Sequence, residues 1–285
     1  MPVSSPRPRP AGRPAAASTP RRDLRRLGRG ARKGLSQNFL SDEAVTLAIL
    51  EALPPTPESV VEIGAGTGVM THHLAETRRV AAVEVDADLA GLLRRRFRGT
   101  PAVHVVEGDA LNLDLGSQLP PPFAVFGNIP YHITGALIPR LVALAPLPEW
   151  VCLMVQWEVA ERLCAAPGGW SLATLAVRAH AGAELLLRVP AHAFDPEPKV
   201  DSGLIMLRPH AAAAFADQGF FDFARLVFQE RRKKLPNAVA NALRHDVERA
   251  RAVVGRAGID GQRRPQTLDL EDWERLYQAY RAANA

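Results

Sequence analysis

The sequence predicts an α/β protein: a largely parallel sheet covered by helices, followed by a smaller helical region. Two observations carry this. Short apolar, β-branched runs alternate with helical segments between residues 41 and 155, and such alternation builds parallel strands joined by helical crossovers. From about Phe220 the chain reads as helical. A length of 285 residues suffices for one sizeable core plus a smaller second domain.

Residues 1–34 are expected to form a disordered basic tail. Residues 1–20 are rich in Pro, Ala, Arg and Ser and show no hydrophobic period. The segment 1–34 holds ten Arg and Lys against the single acid Asp23, a surplus of nine. The net charge of the whole chain is +5, so the remainder carries about −4. A basic arm of this kind suits a polyanionic partner, with residues 21–34 ordering only on RNA. An organellar transit peptide is the competing reading, which the many prolines disfavour.

From Leu35 the composition turns globular. Ser41-Asp42-Glu43 reads as a helix start, with apolar positions following at Val45, Leu47, Ile49 and Leu50. Strands are expected at 60–63, 80–85, 103–106, 123–126 and 151–155. Helices are expected around 72–76, 89–97 and 134–144. Two late strands are expected at 183–189 and 203–207. Arg208-Pro209-His210 and the alanines after it mark a boundary. This gives a first domain over 35–210 and a helical domain over 211–285.

No apolar run approaches the roughly 20 residues of a membrane-spanning helix, and no secretory signal is visible. Cys152 and Cys164 fit no zinc or CxxC spacing, so no metal site is expected, and a reduced cytoplasmic setting suits them.

Glu62-Ile63-Gly64-Ala65-Gly66-Thr67-Gly68 follows a strand and opens a helix. Glycines there permit a tight turn and close approach of the backbone to a ligand. The spacing is GxGxG; Val69 stands where a dinucleotide fingerprint needs its third glycine, which disfavours a nicotinamide oxidoreductase. Glu84 lies twenty residues beyond Gly64, at the end of the next strand, where an acid can accept from ribose hydroxyls. Asp109 ends the third strand, where a carboxylate can accept from an adenine amino group. All three lie at carboxyl ends of parallel strands, the ligand edge of a Rossmann-like sheet. Together they suit an adenosyl cofactor without a pyrophosphate.

Asn128-Ile129-Pro130-Tyr131 follows the fourth strand and faces the same edge. The exocyclic amine of adenine is a poor nucleophile, because its lone pair is delocalised into the ring. Two acceptors that hold its hydrogens favour a tetrahedral nitrogen, and the Asn128 side-chain oxygen and Ile129 carbonyl are candidates for them; taken alone, the tetrapeptide also reads as an Asn-x-Pro turn with a buried Tyr. Pro130 fixes the turn, and Tyr131 offers a ring on which an extruded base can stack. Preorganised dipoles of this kind stabilise developing charge.

These motifs resemble those of the ribosomal RNA adenine N6-dimethyltransferases, from Arg32 to about Leu243 and more loosely beyond. Leu35-Ser36-Gln37-Asn38-Phe39-Leu40 is similar to the family's opening motif. The resemblance implies a class I methyltransferase fold and assigns S-adenosylmethionine to Asn38, Leu40, Gly64, Gly66, Glu84, Asp109 and Asn128. Phe194, in Phe194-Asp195-Pro196-Glu197-Pro198-Lys199-Val200-Asp201-Ser202, would stack on the adenine face opposite Tyr131; without the resemblance it reads as a core aromatic.

The resemblance also implies a ribosomal RNA or subunit precursor as partner, a monomer, and cytoplasmic action. Gln229-Glu230-Arg231-Arg232-Lys233-Lys234 and Thr267-Leu268-Asp269-Leu270-Glu271 resemble the branch that modifies two adjacent adenines near the 3′ end of small-subunit RNA. The Arg-rich leader and Gly169-Trp170-Ser171-Leu172 resemble the branch that modifies a large-subunit adenine and confers macrolide resistance, and Trp157 stands where the first branch has Lys. The small-subunit target is favoured. Arg231, Arg232, Lys233 and Lys234 either contact phosphates or form a solvated helix face. Trp157 and Trp170 either stack on bases or pack. A DNA adenine methylase would bring a large target-recognition domain. A non-catalytic relative would be expected to lose Glu84, Asp109 or Asn128, and all three are present.

Overall fold

The computed structural model describes residues 19–243 and 246–284. Its strands are β1 (Phe39–Leu40), β2 (Ser59–Ile63), β3 (Arg79–Glu84), β4 (Val103–Glu107), β5 (Ala124–Asn128), β6 (Val151–Gln156), β7 (Ala181–Val189), β8 (Phe194–Asp195) and β9 (Ser202–Pro209). The chain divides into two compact units. The first holds the described residues through Ile133 together with Val189–Val200; the second holds Thr134–Arg188 and the residues from Asp201 on.

In the first unit four parallel strands run in the order β4-β3-β2-β5. Every residue of β2 is buried, as expected of a central strand covered on both faces. Ile63 is in register with Val83 on one side and Gly127 on the other, so the ends that carry Gly64, Glu84 and Asn128 lie level. Helices Glu43–Ala52 and Ala87–Arg96 are capped by Asp42 and Asp86, whose carboxylates accept from the N–H groups of Val45 and Asp88. Such caps satisfy donors that the first helical turn leaves unpaired. A two-stranded antiparallel ladder pairs Phe39 with Asp195 and Leu40 with Phe194.

The expected disordered tail ends earlier than residue 34. Residues 1–18 lie outside the described ones, but Pro20–Arg26 forms a helix with Pro20 in its first turn. Leu24 is buried with Phe39 and Leu89. Asp23 forms a buried ion pair with Arg96. Arg29 reaches Asp86 at 2.6 Å, and Arg32 reaches Asp88 at 2.7 Å. Long-range pairing, which composition does not display, orders this basic segment.

In the second unit β6 and β9 pair antiparallel, with Cys152 opposite Met206, and β7 lies beyond β9. Four helices close the chain: Gln218–Gln229, Leu235–Leu243, Val247–Arg256 and Leu270–Asn284. Their core is aromatic, with Phe228 stacked on Trp273 at 4.9 Å. The expected boundary at 210/211 does not separate this bundle. Trp170 and Leu175 belong to the same buried apolar cluster as Phe220, Phe223 and Trp273. Trp170 is 6% exposed and donates its indole N–H to the Ala165 carbonyl, so it packs instead of stacking on bases. Both cysteines are free; burial pushes the Cys164 thiol up to about 11. Among the described residues no helix is long and apolar enough to cross a membrane.

Candidate active site

Ten residues singled out from the sequence meet in one cleft of the first unit. Asn38, Leu40, Gly64, Gly66, Glu84, Asp109, Asn128, Ile129, Pro130 and Tyr131 all line it. Backbone of the glycine loop, carboxylates and apolar side chains share its lining, and it opens to solvent, the form of a small-molecule cleft.

The glycine loop forms the floor. Gly64, Gly66 and Gly68 have φ of +73°, +57° and +84°, conformations that disfavour any side chain. At Gly64 a Cβ would also stand 2.9 Å from the Asn128 carbonyl oxygen, so the loop and the end of β5 touch backbone to backbone.

Glu84 is 5% exposed. One carboxylate oxygen accepts the Gly66 N–H at 2.7 Å, the other the Asp86 N–H at 2.9 Å. Burial raises its pKa against the pull of those two N–H groups. A carboxylate has about four acceptor positions, so both oxygens keep capacity for hydroxyl donors. Asp109 is half-buried and accepts from the Leu111 N–H and the Asn112 amide, each at 2.9 Å. Glu62 also lines the cleft. It accepts the Thr71 hydroxyl at 2.6 Å, and burial pushes its carboxyl up to about 8.

The Asn128 side-chain amide donates to the Asn38 carbonyl at 3.1 Å. That bond engages the amide nitrogen, and the amide oxygen is the side chain's acceptor. The Pro130 carbonyl accepts the Ile133 N–H at 3.1 Å, closing the turn that carries Tyr131. Tyr131 is half-buried at the cleft.

Phe194 does not line the cleft. It is 4% exposed and sits in β8 opposite Leu40, the position of a packing aromatic. Arg231, Arg232, Lys233 and Lys234 are exposed but form the turn between Gln218–Gln229 and Leu235–Leu243, not a helix face. Lys233 pairs with Glu230 at 3.1 Å. Trp157 is half-buried, with the Arg188 guanidinium 4.8 Å above its ring.

The sequence reading missed Asp86. Its fully buried carboxylate receives Arg29 at 2.6 Å, Gln37 at 2.9 Å and Arg32 at 3.2 Å. Burial alone would raise its pKa; the Gln37 hydrogen bond and the two guanidiniums outweigh that and hold it low. Gln37 also accepts the Arg32 N–H at 2.8 Å. Asp86 thereby anchors the loop whose next residue, Asn38, holds the Asn128 amide. Its helix-cap position after a strand was readable; its partners fifty residues upstream were not.

A glycine loop against the end of β5, with acids at successive strand ends, belongs to the class I methyltransferase architecture. Solved structures agree. The chain matches a dimethyladenosine transferase from Plasmodium falciparum with a TM-score of 0.71 and 25% identity, covering 86% of this chain and 98% of that one. It matches the 23S rRNA methyltransferase ErmE with a TM-score of 0.64 and 30% identity, covering 85% and 99%. In sequence it is 37% identical over 260 residues to Ribosomal RNA small subunit methyltransferase A of Dehalococcoides mccartyi (strain 195), covering 88% of each chain. It is 40% identical over 257 residues to the protein of the same name from Synechococcus sp. (strain JA-3-3Ab), covering 85% and 90%. The sequence model of the family described as ribosomal RNA adenine dimethylase matches residues 28–280. The chain belongs to that family of enzymes.

Proposed function

We infer that this chain uses S-adenosylmethionine to dimethylate adenine N6 in small-subunit ribosomal RNA, acting as a cytoplasmic monomer on the RNA or a subunit precursor. The observation that carries it is the Asn128 amide held by the Asn38 carbonyl beside the glycine-loop cleft. The residues fit the cofactor. The Glu84 carboxylate suits ribose hydroxyls, Asp109 suits an adenine amino group, and Leu40 and Ile133 give apolar wall. When bound, the cofactor supplies an electrophilic methyl group.

The protein's own part is positioning. The Asn128 side-chain oxygen and the Ile129 carbonyl accept hydrogen bonds from the adenine amine, two N–H groups before the first transfer and one before the second, and each transfer releases one N–H proton to water. These bonds draw the nitrogen toward tetrahedral geometry without a general base. Tyr131 stacks on the base once it leaves its helix. Phe194, buried in β8, supports the Asn38–Leu40 wall in this reading and reaches a base face only if the wall opens. The exposed Arg231–Lys234 turn contacts phosphates, which position RNA without reading its sequence.

The small-subunit target rests on the names of the sequence relatives. The likeness to ErmE favours a second reading, one large-subunit adenine. One experiment separates them: incubate the protein with labelled S-adenosylmethionine and each subunit apart, then map the methylated adenines by mass spectrometry. Label on two adjacent small-subunit adenines is the expected result; label on a large-subunit adenine alone selects the second reading, and no label overturns both.

A further inference from the structure

A second concavity lies in the first unit, lined by Arg21, Arg25 and Arg29 of the N-terminal segment together with Asp195 and Pro196. Ser36, Gln37 and Asn38 line both this groove and the active-site cleft. One loop is therefore their common wall.

The groove's arginines are not equivalent. Arg29 is committed to Asp86 and Asp88 and fixes the wall. Arg21 touches Asp195 at 3.3 Å with 70% of its side chain exposed, a pair of little energetic weight. Arg25 is exposed, and its side chain has no ion-pair partner among the described residues. Arg22 and Arg26 of the same helix are exposed as well. That helix buries Pro20, Asp23 and Leu24, and the Asp23–Arg96 pair anchors it. It thus holds four exposed arginines on an ordered support.

We propose that this groove binds the phosphodiester backbone of single-stranded RNA flanking the target adenine. The proposal rests on the adenine-methylating reading. A base that enters the cleft leaves its own ribose-phosphate outside, so the adjoining backbone crosses the rim. The Ser36–Asn38 loop is one such rim, and the arginines stand behind it. Guanidinium groups match phosphate oxygens two at a time. Contacts of this kind set the register of the strand and carry no sequence preference.

The test uses the full chain and two double variants, Arg21→Ala with Arg25→Ala, and Arg21→Lys with Arg25→Lys. Binding to a single-stranded oligonucleotide with two adjacent adenines is measured from 50 to 200 mM salt. At about 0.7 per phosphate contact on single strands, losing two contacts makes the log–log salt slope shallower by about 1.4. The unaltered protein then loses about sevenfold more affinity than the Ala variant over that range. The Lys variant restores most of the slope, and S-adenosylmethionine affinity and Tm stay unchanged in both. An unchanged slope overturns the proposal, as does an equal fall in cofactor affinity, which would make the arginines a structural strap. Loss of activity on whole subunits with an unchanged slope would place them against a ribosomal protein and overturn it too. Methyl transfer by the unaltered protein reports the underlying reading separately. A non-methylating protein whose variant loses slope keeps the groove and sinks the adenine reading.

Discussion

Replacing Gly64 with Ala tests whether the glycine loop and the end of β5 that bears Asn128 form one mechanical unit. At φ +73° an L-residue pays about 1–2 kcal/mol. The smaller entropy of the unfolded Ala chain returns about 0.4–1 kcal/mol. Left-handed strain alone is therefore worth on the order of 1 kcal/mol. The new Cβ also stands 2.9 Å from the Asn128 backbone oxygen, so loop or strand must shift by a few tenths of an ångström. Gly99 supplies the control: its φ is +81°, with nothing within 4 Å of its Cβ position. Gly99→Ala isolates the strain, with a Tm drop of about 2–4 °C per kcal/mol and unchanged kcat. Gly64→Ala adds the clash, so Tm falls further. Since a 1 Å misplacement can cost about a hundredfold, a shift of a few tenths of an ångström lowers kcat by roughly three- to fivefold. The assays are thermal unfolding and single-turnover methyl transfer. Equal Tm and equal kcat for the two variants would refute the coupling.

Asn128→Ala removes one acceptor and lowers kcat on the order of 10²–10³-fold, while cofactor binding persists at reduced affinity in titration calorimetry; normal turnover would sink the mechanism. Glu62→Gln tests the buried acid. Its carboxyl sits at about 8 when folded against an ordinary 4.5, so the folded state holds the proton longer. Its contribution is complete below 4.5 and is lost as pH rises to about 8. Melting curves should therefore show the Gln variant gaining on the unaltered protein across that window, and a pH-independent gap would count against it. Leu24→Ala, in a buried cluster with Phe39 and Leu89, should cost about 2 kcal/mol in denaturant titrations. A cost near zero would mean that the N-terminal helix contributes nothing to the fold.

Most of the cleft was legible because its residues sit where chemistry and punctuation coincide. Gly64, Glu84, Asp109 and Asn128 each end or follow an apolar run, and parallel strands bring such ends level. The helix at Glu43 was announced by its Asp42 cap. The structure departs from the reading where long-range contacts decide. β1 and β8 have two residues each, too few for any periodicity. Their pairing buries Phe194, which motif likeness alone placed against the base. Pro20–Arg26 carries one buried large apolar residue, Leu24, and is anchored by the pairing of its Asp23 with Arg96, 73 residues on, which a window of local composition cannot weigh. The basic cluster at Arg231 looked helical because its neighbours on both sides are; Leu235-Pro236 starts a new helix after it.

The ladder between Phe39–Leu40 and Phe194–Asp195 has a consequence for synthesis. A chain leaving the ribosome delivers the glycine loop, the acids and Asn128 before it delivers Phe194. Until that residue emerges, the wall bearing the Asn38 carbonyl is held from the Asp86 side and has no strand beside it. A fragment that stops at Arg188 carries every cleft residue named above and still lacks the late strand that closes the wall. The Asn38–Leu40 wall is thus paired only after Phe194 has been made, and the first unit cannot be dissected out by a single cut.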